Sequence, residues 1–139
     1  MFNIIQSNFQ SITLNLLRIV SGFLFMPHGA QKLFGLFGGF GGKPGATAPL
    51  FSLMGLAGIL EFFGGFAILF GVFTRPVAFI LSGQMAVAYF MAHIPMGFWP
   101  LLNRGELAAL YSFIFLFLAA AGGGNFSIDE LIKKKRDSL

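Results

Sequence analysis

The chain has 139 residues, of which 56% are hydrophobic, 17% aromatic and only 10% charged, and its mean hydropathy is +0.81. A water-borne globular domain needs far more polar surface, so the composition excludes that class and indicates an all-α integral membrane protein. The net charge of +4 does not point to nucleic acid, because Lys133, Lys134, Lys135 and Arg136 crowd one tail, where anionic membrane lipid is the nearer partner. With no cysteine, the chain cannot form a disulfide, carry a thiolate nucleophile or hold an iron–sulfur cluster by itself.

In chain order, Phe2, Ile5, Phe9 and Ile12 recur at helical spacing among Asn, Gln and Ser, which predicts an interfacial amphipathic segment over residues 1–13. A cleaved signal peptide fits poorly: a positive n-region is missing, Arg18 falls inside the apolar run, and no small-x-small site follows His28. Apolar windows then predict spans at 14–34, 50–73, 77–93 and 106–121, giving a four-transmembrane-helix antiparallel bundle over residues 14–121. The third and fourth are short for independent crossings, so they should depend on packing against the first two, and they leave room for a homo-oligomer.

Glycines in the second window, Gly55, Gly58, Gly64, Gly65 and Gly71, suit close helix contact. The run Gly38-Gly39-Phe40-Gly41-Gly42-Lys43-Pro44-Gly45 resembles a phosphate loop but lacks the Walker A glycine at Phe37 and the Ser or Thr at Pro44. It reads instead as a mobile or re-entrant loop over the outer face. In residues 122–139, Ser127 and Glu130 stand at capping-box spacing before Leu131 and Ile132, predicting a short helix leading into the basic cluster. Arg75, the tail cations and Arg18, which could snorkel from its helix, lie on one side; Lys32, Lys43 and Arg104 lie on the other. The positive-inside rule then places both termini in the cytoplasm, which in a bacterium makes the membrane the plasma membrane.

Ionisable groups in apolar runs are expensive, so they are the first candidates for function. His28 and Lys32 share one face near the outer end of the first window. Glu61 lies in the middle of the second, where a carboxylate either takes up a proton or meets a cation. Gln84 and His93 follow in the third. Trp99 belongs to an aromatic, proline-rich turn suited to the interface, Asn103 is an expected N-cap for the fourth window, and Glu106 sits in that helix's first turn. All eight fall in the outer half of the expected bundle or just below it, and predict a polar ligand-binding pocket between helices. Each also has a structural reading, such as helix capping for Glu106 and snorkelling for Lys32. The endings Phe25-Met26-Pro27-His28 and Phe90-Met91-Ala92-His93 faintly echo each other, as two related hairpins would.

Leu17-Arg18, Pro27-His28-Gly29, Gln31-Lys32-Leu33-Phe34-Gly35, Gly58-Ile59-Leu60-Glu61, Gly71-Val72-Phe73-Thr74-Arg75, Ala88-Tyr89-Phe90 to His93, Trp99-Pro100, Asn103-Arg104-Gly105-Glu106-Leu107 and Phe126-Ser127-Ile128-Asp129 together resemble the DoxX family of small bacterial membrane proteins. The resemblance implies a four-helix membrane bundle. It also implies a redox accessory role, through similarity to a subunit of a thiosulfate:quinone oxidoreductase and through members linked with oxidative and thiol stress.

The leading expectation is therefore a quinone-interacting membrane subunit, in which His28 or His93 bonds the ring carbonyls and Glu61 or Glu106 exchanges protons. Soluble redox enzymes at the cytoplasmic face would be its partners. The alternative is a non-enzymatic scaffold or carrier for lipid or protein, consistent with a chain that has no self-contained catalytic motif. A metal site on the two His and two Glu is disfavoured, because no Glu-x-x-His pair occurs.

Overall fold

A computed structural model describes the backbone of residues 2–139 and the side chains from Ser7 onward. The side chains of Phe2 and Ile5, on which part of the interfacial reading rests, lie outside the described residues. The described chain is helical, with elements α1 (Phe2–Phe34), α2 (Leu53–Phe70), α3 (Thr74–Met96), α4 (Pro100–Asn103), α5 (Glu106–Ala121) and α6 (Ile128–Asp137). Residues 1–13 were expected to form a segment apart, but the backbone from Phe2 runs into the first long helix without a break. Pro27 lies inside that helix and does not end it.

Helix ends explain the other shifts from the expected windows. The Ser52 hydroxyl accepts from Gly55 N, so α2 starts three residues later than expected, and Gly71 in the left-handed region ends it. Pro76 is tolerated in the first turn of α3, which therefore begins at Thr74 and, with a 3-10 turn at Ile94–Met96, reaches 23 residues. The third window is thus not short. Three helices, Ser7–Phe34, Leu53–Phe70 and Thr74–Met96, are long and apolar enough to cross a membrane. The 16-residue α5 covers about 24 Å, less than a hydrocarbon core of about 30 Å.

The long rods run antiparallel. Going up α1, Gly22 faces Leu69 and Gly65, and Gly29 faces Phe62 and Gly58, so α2 descends beside it. Down the α3–α5 pair, Arg75 meets the carbonyls of Ala119 to Ala121, Ser82 and Ser112 exchange bonds of 2.8 and 3.1 Å, and His93 meets Asn103. Phe25, Ile68, Leu81, Tyr111, Phe115 and Leu118 fill the centre. The outward faces carry exposed apolar side chains, among them Phe23, Phe66, Phe79 and Phe113, as a lipid-facing surface requires. The loop between α1 and α2 is tied to α1, with Ala48 N donating to Lys32 O at 2.7 Å and Gln31 Nε2 to Phe37 O at 3.1 Å.

Close packing of α1 on α2 depends on glycine. A Cβ at Gly29 would strike the backbone of Phe62 and Gly58, whereas one at Gly83 would meet nothing within 4 Å. Gly29→Ala is expected to cost about 1–3 kcal/mol, and Gly83→Ala to be neutral or slightly stabilising. Thermal melts of the two variants in detergent compare them directly; equal melting temperatures would contradict the contact.

The end of the bundle that carries the termini is more ordered than a tail in water. Arg18 does not snorkel: it is 1% exposed. Its Nε donates to Gly123 O at 2.7 Å, Nη1 to Ile68 O at 2.8 Å and to Leu69 O, and Nη2 to Phe126 O at 2.9 Å. Asp129 accepts from the N–H groups of Phe73 and Thr74 at 2.8 Å each, capping α3 from the tail. Ser127 Oγ caps α6 by accepting from Glu130 N at 3.2 Å, as the capping-box spacing predicts.

Candidate functional site

Glu61 and His93 both lie in π-helical turns, Leu60–Gly64 and Tyr89–His93. Such a turn inserts an extra residue and re-aims the side chains around it, and it occurs often at functional sites. Here it turns Glu61 inward. Its carboxylate accepts from Lys32 Nζ at 2.6 Å and from Gln84 Nε2 at 3.2 Å, so α1, α2 and α3 each contribute one member of a polar triad. The side chains of Lys32 and Glu61 are 17% and 5% exposed, which makes this a largely desolvated ion pair with supporting hydrogen bonds. Lys32 Nζ also lies 3.5 Å from His28 O, and Gln84 Nε2 3.4 Å from Ala57 O.

The triad borders a cavity of about 360 Å³ between the helices, within the usual range for small-molecule sites of about 300–1,000 Å³. Phe25, Met85, Ala88 and Tyr111 line its interior, and the exposed apolar side chains of Leu53, Val87, Met91 and Leu107 belong to its rim. His28, Lys32, Glu61, Gln84 and His93 all line it.

The other three expected site residues do not. Trp99 is 65% exposed and Glu106 is exposed in the first turn of α5. Asn103 is fully buried but works on the backbone: its Nδ2 donates to Gly97 O at 2.7 Å and its Oδ1 accepts from Gly105 N at 2.8 Å. It ends the short helix α4; Gly105, with no side-chain bond, occupies the N-cap of α5. Asn103 thus braces the turn that receives His93, whose Nδ1 lies 2.9 Å from Asn103 O.

The sequence reading missed Arg104 and Tyr111, which also line the cavity. Arg104 adopts the left-handed region at φ 58°, a strained choice for a side chain with a Cβ. That residue type just before a glycine was the available signal. Among the described residues, no three of His, Asp and Glu come together as a metal-holding group.

The DoxX family model matches residues 13–94, a range that contains all five expected residues lining the cavity. An uncharacterized protein of Haemophilus influenzae is 39% identical over 122 residues, covering 86% of this chain and 90% of that protein. The inner membrane protein YqjF of Escherichia coli is 36% identical over 120 residues, covering 85% of this chain and 90% of that protein. No solved structure matches. With most of both chains aligned and more than half of this one matched by the family model, the chain is a membrane protein of the DoxX family.

Proposed function

We propose that the chain crosses the bacterial inner membrane four times, with both termini in the cytoplasm, and serves a membrane redox system by holding a quinone-type amphiphile in the interhelical cavity. The observation that carries this is a buried ion pair set in the wall of an apolar cavity whose exposed lining is apolar apart from His28 and Arg104. A buried charge pair costs desolvation that a hydrophobic pair of similar volume does not, and a polar ring with a lipid tail fits this combination of polar wall and largely apolar rim. A helix as short as α5 can cross where the surrounding rods and a locally thinned bilayer shield its ends. The YqjF relative is named as an inner membrane protein, and Arg75 with Lys133 to Arg136 supplies the positive charge at the terminal end.

Native mass spectrometry with lipid extraction tests the reading on detergent-purified protein. Wild type is expected to carry a quinone, and Glu61→Gln and His28→Ala to lose most of it. An empty wild type, or phospholipid unaffected by either change, would overturn the quinone reading and favour a lipid-binding scaffold.

A further inference from the structure

We infer that the seam between α1 and α5 is the lateral port of the cavity: it holds the apolar tail of the bound amphiphile and leads it toward the middle of the bilayer. This rests on the reading of the cavity as a site for a tailed, quinone-type ring. A ring lodged between helices while its tail stays in lipid needs a gap in the wall, and the helices differ in how tightly they close. The α5 helix packs along α3, and α1 packs on α2, but α1 barely touches α5.

The two faces across that seam match. Val20, Ser21 and Leu24 fall on one stripe of α1, and Leu107, Leu110 and Ile114 on one stripe of α5, and between them they line a groove of about 150 Å³. Val20, Leu24, Leu107 and Leu110 are exposed along its walls. Ser21 is buried beneath them with its hydroxyl spent on its own helix, at 2.6 Å from Leu17 O and 3.1 Å from Arg18 O, so it makes no polar demand on an occupant. Leu107 and Tyr111 line both the groove and the cavity. The Tyr111 ring packs on Phe25 of α1 across the seam, with centroids 5.0 Å apart. Groove and cavity therefore meet at these side chains.

Direction favours this exit over the other gap. From Leu107 to Ile114 the groove runs away from the end that carries Lys32 and Arg104 and toward mid-height of the long α1 rod, at Val20 and Ser21. A ring beside His28 and His93 then has its tail aimed at the hydrocarbon interior. The second gap, at Leu53, Val87 and Met91 between α2 and α3, is closed on its inner side by Gln84, which reaches from α3 to Ala57 O and Glu61 on α2. Lipid chains are as apolar as the groove, so seating the tail there adds little affinity. What the groove supplies is the direction from which the ring enters and leaves.

The test is photo-crosslinking of the detergent-purified full chain by a benzoquinone whose decyl tail carries a diazirine at its midpoint, followed by peptide mapping. Label is expected on segments 17–24 and 107–114, and an excess of tail-less benzoquinone is expected to remove it. Displaceable label at Leu53, Val87 or Met91 instead overturns the port and leaves the quinone reading standing. Groove label that the tail-less ring does not displace means that any lipid chain lies there, and also overturns the port. Absence of displaceable label everywhere overturns both readings. Leu110→Trp narrows the groove from its lipid-facing wall, and in calorimetry is expected to weaken the decyl probe about tenfold while leaving the tail-less ring unchanged. Micelles take up each probe equally with either protein, so the comparison reports the groove. Unchanged binding of the decyl probe overturns the port, as does equal weakening of both probes. If Leu110→Trp does not fold, the wild-type map decides.

Discussion

Arg18→Met is expected to destabilise the protein by at least about 3 kcal/mol, the sum of two charge-assisted hydrogen bonds at about 1.5 kcal/mol each. The guanidinium collects four carbonyls that belong to two different parts of the chain, the last turns of α2 and the segment leading into α6. Leu69 O is among the C-terminal carbonyls that an ending helix leaves without intrahelical partners, whereas Ile68 O also accepts from Gly71 N at 3.1 Å. Methionine fills a similar volume but satisfies none of them, and at this depth little water is available to replace the lost donors. Arg18→Lys supplies one point charge in place of a planar fork and should fall between the two. In a detergent melt the loss corresponds to a fall on the order of 10 °C for Arg18→Met. Proteolysis should show the tail from Asn125 onward released first, because Arg18 and Asp129 are what fasten it. A melting temperature within about 2 °C of wild type would mean that the buried guanidinium contributes specificity of assembly and little stability.

How Arg18 was first read shows where sequence reasoning stops. An arginine one turn inside an apolar window looks like a snorkelling residue that adds to the charge at its end of the bundle. Its partners lie 50 to 108 residues away in the chain, so no local pattern announces them. By contrast, each apolar window corresponds to one helical rod, because period and hydropathy are local properties. The errors there were of a few residues, at Pro76 and Ser52, where turn chemistry decides the end.

The site divides in the same way. Cost in hydrocarbon singles out His28, Glu61, His93 and Glu106; the first three line one cavity together with Lys32 and Gln84, whereas Glu106 is exposed outside it. Trp99 and Glu106 stand at the right height in the bundle, but neither height nor cost gives the direction a side chain faces. Asn103 was read as a helix cap because it precedes an apolar window by the usual spacing, yet the left-handed Arg104 breaks the chain first. The π turns at Glu61 and His93 left no visible mark on the apolar periodicity, and they are what turn both side chains to the same side.

Lys32→Met is expected to cost about 3–5 kcal/mol, the usual penalty for leaving one member of a buried ion pair uncompensated. Glu61→Gln alone should cost less, since the new amide oxygen can still accept from Lys32 while its NH2 can donate to a turned Gln84 amide, although the ammonium then lacks a counter-charge. The informative variant is the double change, Lys32→Met with Glu61→Gln. It removes both charges and leaves an amide that can pair with Gln84, so its stability is expected to lie within about 1 kcal/mol of wild type. The two single losses would then fail to add, with a coupling of at least about 2 kcal/mol between the sites. Melts of the four proteins in one detergent measure that coupling, and additive losses would show that Lys32 and Glu61 do not pair in the folded membrane protein. If the double variant is as stable as wild type but does not hold the quinone proposed for the wild type, the pair serves the ligand and the fold does not need it. If it keeps the ligand, the polar work of the cavity falls to Gln84 and His93, which the double change leaves in place.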